Sequence, residues 1–248
     1  MTRKAEEFYI QALKLLNKSG IPFMLGGTMA VKVYTDIERE TKDMDIFVKP
    51  GDYPRVLNMF TEAGYKTSVE DERWLAKVRH NGTYFDVIFN LQNAQSPVND
   101  NWFTESQIGT LFGIEIKLLP PAELILAKAF VQDRDKYEGS DIAHLILLKH
   151  KDIDWKRLLD YMEQYWEVLL IHLLNFRFIY PSERESVPKE ILNELLSRLM
   201  HQAAAPTPKN KICRGRIFSL KDYYIDVSKF GFGDVIGGDV HESRIPQS

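Results

Sequence analysis

Apolar residues recur at helical spacing at Phe8, Ala12, Leu15 and Leu16, with Leu13 beside them, and the run stops at Ser19-Gly20 before a short apolar stretch over residues 21–25. This pattern predicts a helix followed by a strand. Gly26-Gly27-Thr28 comes next and leads into Met29, Ala30, Val31 and Val33, a second helix entered through a glycine turn. Another apolar run over residues 44–49 closes at Pro50-Gly51, after which Tyr53, Val56, Leu57 and Phe60 mark a helix ending at Gly64. Between Tyr65 and Phe89 the period becomes alternating. Trp74, Ala76 and Val78 form one series and Phe85, Val87 and Phe89 another, with the hairpin signal Asn81-Gly82 between them. A polar loop over residues 92–101 leads to one more strand, 114–119, which stops at Pro120-Pro121.

Beyond Pro121 the period is helical over residues 122–132, 141–150, 155–178 and 188–201. Residues 203–208 read as a linker, and the tail after it carries Lys209, Lys211, Arg214 and Arg216 and then a glycine-rich stretch, 230–238, with no periodicity of its own. The expected class is mixed α/β, of the α+β kind. A small mixed sheet occupies residues 1–120, an all-helical region residues 121–205, and a linker and tail residues 206–248.

Composition narrows the function classes. The 248 residues are 44% hydrophobic and 12% aromatic with a formal net charge of −3, enough for a sizeable core and too acidic for a chain-wide nucleic-acid field. Any RNA contact is confined to a local cluster such as residues 209–216, where a solvated tail is the competing explanation. The single cysteine, Cys213, forms neither an intrachain disulfide nor a cysteine-based zinc site, so a reducing cytoplasm is expected. No signal-like segment and no apolar run of about 20 residues suggests export or a membrane span.

The candidate chemistry begins at Asp43-Met44-Asp45, because two carboxylates two positions apart on a strand project from the same face. Their repulsion is met by hydration at the end of an edge strand or by a hard divalent cation such as Mg²⁺. Asp86 lies inside the apolar run Tyr84-Phe85-Asp86-Val87-Ile88-Phe89, where an unpaired carboxylate is expensive. If Phe85, Val87 and Phe89 face the core, Asp86 points the other way, and pairing that strand beside residues 44–48 brings it to Asp43 and Asp45. The alternative is an ion pair with Lys77 or Arg79 across the hairpin. Gly26-Gly27-Thr28 adds a turn in which backbone N–H groups can approach a phosphate at a helix N-terminus.

Strand, Gly-Gly-Thr, helix, Asp-X-Asp strand and a later strand with one further Asp resembles the nucleotidyltransferase superfamily of the polymerase β type. The likeness spans residues 21–89 and rests on Leu25-Gly26-Gly27-Thr28, Lys42-Asp43-Met44-Asp45-Ile46-Phe47-Val48 and Phe85-Asp86-Val87-Ile88. The resemblance implies that Asp43 and Asp45 bind Mg²⁺ carrying the phosphates of an NTP. It gives Asp86 the third acidic position, completing the metal site and helping to activate an acceptor hydroxyl, and it gives Gly26, Gly27 and Thr28 the triphosphate. A weaker likeness to abortive-infection nucleotidyltransferase toxins assigns Lys128, Arg134 and Asp141 to the nucleotide and implies an antitoxin partner. Solvated helix positions are the competing explanation for Lys128 and Arg134.

The resulting expectation is Mg²⁺-dependent transfer of an NMP from an NTP to a hydroxyl acceptor on a tRNA, a protein or a small molecule. A metal-dependent glycosyltransferase using the Asp-X-Asp pair and a non-catalytic nucleotide-binding module are the alternatives. His144, His150 and His172 lack metal-ligand spacing, and Cys213 has no base beside it.

Overall fold

Helix α1 (Arg3–Ser19) forms under the N-cap Thr2, whose hydroxyl accepts the Ala5 N–H at 3.3 Å, and ends at Gly20 in the left-handed region. Its Phe8, Ala12, Leu13 and Leu16 are buried as the periodicity predicts. The structure, a computed structural model, describes residues 1–41, 43–91 and 96–235. Lys42 of the acidic motif, residues 92–95 of the polar loop and the end of the glycine-rich stretch from residue 236 lie outside the described residues.

After α1 come β1 (Met24–Leu25), α2 (Gly27–Thr35), β2 (Asp45–Phe47), α3 (Tyr53–Glu62), β3 (Lys66–Asp71), β4 (Leu75–His80) and β5 (Thr83–Ile88). A two-residue ladder of β6 (Asn90–Leu91) and β7 (Ser96–Pro97), the short α4 (Asp100–Thr104), β8 (Gln107–Leu111) and β9 (Ile114–Leu118) complete the mixed α/β part. Seven strands form one sheet in the order β3-β4-β5-β2-β1-β9-β8. The pairs β2/β5 and β1/β9 are parallel and the others antiparallel. Phe85 of β5 packs between Phe8 of α1, 5.8 Å away, and Phe60 of α3, 5.1 Å away, so α1 and α3 cover the face on which the apolar series lies.

Asn81 and Gly82 both take positive φ, 49° and 81°, and close the β4/β5 hairpin. Two strands of this sheet escape the periodicity, β3 (Lys-Thr-Ser-Val-Glu-Asp) and β8 (Gln-Ile-Gly-Thr-Leu). They are the two edges of the sheet, where polar residues are tolerated. The strand expected over residues 21–25 shrinks to Met24–Leu25, because Pro22 has no N–H to donate to a ladder.

The helical part contains α5 (Pro121–Ala129), α6 (Gly139–Lys149), α7 (Trp155–Tyr161), α8 (Trp166–Ile179) and α9 (Lys189–Ala204). The single helix expected over residues 155–178 is two, separated by a short 3₁₀ turn at Glu163–Tyr165. Leu158, Met162, Leu169 and Leu173 all face the core, so the apolar pattern runs through the break. The linker expected from residue 203 starts later, since Ala203 and Ala204 still belong to α9.

The tail has structure of its own. β10 (Ile212–Cys213) pairs in parallel with β11 (Gly233–Asp234), the short α10 (Tyr224–Ser228) lies between them, and Cys213 and Ile217 are buried. Among the described residues no helix is long and apolar enough to cross a membrane.

The turn supplies the first prediction. Gly82→Val places a β-branched residue at φ 81°, and the variant should lose about 1–3 kcal/mol of stability in urea unfolding.

Candidate active site

Three backbone registers bring the acidic residues to one face. Asp45 of β2 stands opposite Asp86 of β5, and this parallel pair is held by the Asp86 N–H to Met44 O at 2.9 Å and the Val48 N–H to Ile88 O at 3.0 Å. Residues directly opposite one another project to the same side of a sheet. Lys77 of β4 is opposite Asp86, Ser68 of β3 is opposite Lys77, and the Gly26 N–H donates to Asp45 O at 2.9 Å. One transverse row across five chain segments thus reads Ser68, Lys77, Asp86, Asp45, Gly26. Asp43 reaches the same face through Tyr84, whose hydroxyl lies 3.5 Å from Asp43 Oδ2. The Thr41 hydroxyl donates to the Asp43 carbonyl at 3.0 Å, and the Tyr9 hydroxyl on α1 donates to the Tyr84 carbonyl at 3.0 Å.

The glycine turn closes over this row. Gly26 is the N-cap of α2 and Gly27, at φ 59°, its first residue. A Cβ on Gly27 would overlap the Asp45 carboxylate, and one on Gly26 would overlap the Phe47 ring, so the close approach itself demands glycine. No side chain caps α2, and the amides of its first turn, including that of the half-buried Thr28, have no partner inside the helix.

Negative charge is concentrated here. Burial, then the charges of Asp43 and Asp86, push the Asp45 carboxyl up to about 7, against the opposing pull of Lys128 and Lys136. Burial raises Asp86 as well, although Lys77 opposes the rise. The hydroxyls of Tyr9 and Tyr84 are raised by burial and then by Asp43.

A hard divalent ion fits Asp43 and Asp45 in donor chemistry, because it supplies the positive charge their juxtaposition lacks. Among the described residues no three acidic, histidine or cysteine side chains are gathered about one point. The Asp86 carboxylate instead takes Lys77 Nζ at 2.5 Å, with both side chains largely shielded from solvent. The two readings of Asp86 therefore coexist: its backbone register belongs with Asp45 and its ion pair with Lys77.

Downstream, Lys128 is only 3% exposed, which removes the explanation of a solvated helix face. Its Nζ lies 2.5 Å from Glu138 Oε2 and 2.9 Å from Asp141 Oδ2. Asp141 also takes Arg39 at 2.5 Å, and Arg39 donates to Ser140 Oγ at 2.8 Å and lies 2.9 Å from His144 Nδ1. Arg39 stands on the same connection between α2 and β2 as Thr41 and Asp43, so it ties that connection to α6. Lys136 reaches Glu138 at 2.8 Å. Burial would lower the Lys136 ammonium, but Glu138, Asp45 and Asp43 outweigh it and hold the group above its usual range.

Arg134 does not join this group as placed. It is exposed, and its partner is Asp222 in the tail, at 3.7 Å. His172 is buried against the Ala129 carbonyl at 2.8 Å. Arg214 pairs with Glu167 at 2.6 Å and Arg216 with Asp234, so half of the basic cluster expected to be a solvated or RNA-binding tail is neutralised within the chain. Arg39, Thr41, Tyr84, Lys136 and Glu138 were given no site role by the sequence. Only Tyr84 had a readable signal, two residues before Asp86 on the same strand face.

The family described as uncharacterised nucleotidyltransferase matches residues 3–174. A comparison with curated protein sequences gives no match. Among solved structures, the lincosamide antibiotic adenylyltransferase LnuA with lincomycin bound is similar at 23% identity and TM-score 0.42, over 58% of this chain and 96% of that one. An antigenic nucleotidyltransferase-like protein from Paracoccidioides brasiliensis is similar at 18% identity and TM-score 0.48, over 75% and 93% of the two chains. The antibiotic-resistance factor ANT(2'')-Ia is similar at 11% identity and TM-score 0.47, over 82% and 100%.

Two predictions follow from the electrostatics. The Asp45 carboxyl is raised from 3.8 unfolded to about 7 folded, so the folded state binds the extra proton and stability falls as pH rises between these values. Asp45→Asn should remove that decline, and without divalent cations the variant's thermal midpoint should exceed the wild type's by a margin that grows from pH 5 to pH 8. Lys128→Ala leaves Asp141 with Arg39 alone and Glu138 with Lys136 alone in a buried setting, and it should cost about 3 kcal/mol in chemical denaturation.

Proposed function

The chain belongs to the uncharacterised nucleotidyltransferase family, and from that premise we propose a Mg²⁺-dependent enzyme that transfers an NMP from an NTP to a hydroxyl acceptor. The observation that carries the proposal is the parallel register of Asp45 with Asp86, bordered by Gly26 and followed by an uncapped helix N-terminus. Carboxylates and a phosphate-accepting turn stand side by side, as phosphoryl transfer requires.

Asp43, Asp45 and Asp86 would hold Mg²⁺, Asp86 by exchanging Lys77 for the ion. When bound, Mg²⁺ supplies charge neutralisation at the phosphates and acidifies a coordinated hydroxyl. The first-turn amides of α2 and the Thr28 hydroxyl would donate to triphosphate oxygens. Lys128 and Lys136 direct positive field toward Asp45 and would offset the charge of the triphosphate. Asp141 holds Lys128 in place, and Arg134, on the exposed turn that also carries Lys136, would engage only with nucleotide present.

The acceptor oxygen attacks the α-phosphorus and its proton passes to Asp86. The bond from the α-phosphorus to the oxygen bridging to the β-phosphate breaks, and pyrophosphate leaves. Asp86 suits this role by position, on the strand beside Asp45. A tRNA end, a protein side chain or a small molecule would offer the hydroxyl, and a partner that covers this face, such as an antitoxin, would block it.

The test incubates the full chain with Mg²⁺ and each labelled NTP in the presence of tRNA, of protein extract and of small hydroxyl compounds. Label transfer should appear with at least one acceptor and fall by at least about 100-fold in Asp43→Ala and Asp45→Asn. Equal transfer by wild type and both variants would overturn the proposal. Nucleotide binding without transfer to any acceptor would replace the enzyme with a nucleotide-binding module.

A further inference from the structure

Lys77 is the one cation of the transverse row, and of the two cross-hairpin partners open to Asp86 it is the one the register selects. It stands directly opposite Asp86 in the β4/β5 hairpin, with Nζ 2.5 Å from Asp86 Oδ1. The same ammonium lies 4.1 Å from the centroid of the Tyr84 ring, the diagonal neighbour whose hydroxyl approaches Asp43. Carboxylate and aromatic face therefore hold it from two sides. The side chains of Lys77 and Asp86 are 17% and 13% exposed, so water screens the pair weakly. Asp86 in turn separates Lys77 from Asp45, and no three acidic, histidine or cysteine side chains among the described residues are gathered while Asp86 faces Lys77.

We propose that Lys77 is the resident counter-cation of the third acidic position, a positioning residue that competes with a divalent ion for the Asp86 carboxylate and so sets the affinity of the site for metal. An ammonium and a divalent ion cannot both occupy the near side of one carboxylate without strong repulsion, because like charges a few ångströms apart in a shielded setting interact strongly. Binding of the ion and release of Lys77 are consequently one linked event, and by reciprocity whatever holds Lys77 on Asp86 weakens metal binding by the same factor. The Tyr84 face, already 4.1 Å from Nζ, gives the released ammonium a place to stay, in position to meet the negative charge that arrives with a nucleotide. The inference rests on the metal assignment of the proposed function but not on the transfer reaction.

The experiment measures Mn²⁺ binding to the full chain by electron paramagnetic resonance, with no nucleotide present. Lys77→Met should bind Mn²⁺ about tenfold more tightly than wild type, within the range usual for linked sites. Lys77→Arg, which keeps the charge, should match wild type. Adding Asp86→Asn to Lys77→Met should abolish the gain, which separates competition for Asp86 from a general change of surface charge. Lys77→Gln serves as a second neutral variant with the same expectation.

On the wild type itself, Mg²⁺ should raise the reactivity of Lys77 toward an amine-labelling reagent, read by mass spectrometry. Unchanged or weaker Mn²⁺ binding in a folded neutral variant, or Lys77 labelling that ignores Mg²⁺, would overturn the proposal. Tighter Mn²⁺ binding together with absent NMP transfer would instead remove the transfer reaction and leave the competition standing.

Discussion

Two carboxylates placed directly opposite each other on a parallel pair of strands form the constraint around which the rest of the site is arranged. Asp45 and Asp86 share a register position that their backbone hydrogen bonds leave no freedom to change. A one-residue slip would carry one carboxylate to the face packed by α1 and α3, where the cost of an unpaired charge is prohibitive. The surrounding groups answer that repulsion in different ways. Lys77 neutralises Asp86 directly, Lys128 and Lys136 act on Asp45 from the helical part, and burial together with the neighbouring charges raises the Asp45 carboxyl into the neutral range.

Neighbouring backbone is shaped by the same constraint. Gly26 and Gly27 are the only residue types that fit at their positions, since the turn presses against Phe47 and against the Asp45 carboxylate. The turn then delivers a helix whose first-turn amides lack partners within it, so a dense negative cluster and a donor-rich backbone lie next to each other. An anion bearing a cation answers both needs, and a nucleoside triphosphate with its metal is such a ligand.

The buried network on α5 and α6 joins the helical part to the acidic connection. Ion pairs removed from water are poor sources of stability, because desolvation offsets most of their attraction. Their value here is geometric. Arg39 belongs to the chain segment that presents Asp43, while its partners Ser140, Asp141 and His144 belong to α6. Lys128 joins α5 to the same carboxylate. These pairs tie α5 and α6 to the connection that carries Thr41 and Asp43.

Local chemistry was readable without coordinates wherever a few adjacent residues decide it. Asn81-Gly82 implies its hairpin, which narrows the cross-strand partner of Asp86 to Lys77 or Arg79, and the register selects Lys77. Gly26-Gly27-Thr28 announces a tight entry into a helix, and the core series of α1, α3 and β5 follows from periodicity. The polar edge strands β3 and β8 and the break between α7 and α8 could not be read, because hydropathy records which face is buried and not where the backbone changes partner. Sequence by itself determined the chemical types present and the two-residue alternation that sets their faces. Tertiary structure alone decided that β5 lies beside β2 with Asp86 at Asp45, and that Lys128 is buried against Asp141 and Glu138. Those pairings join segments tens of residues apart, and packing of the whole core rather than any local preference selects them.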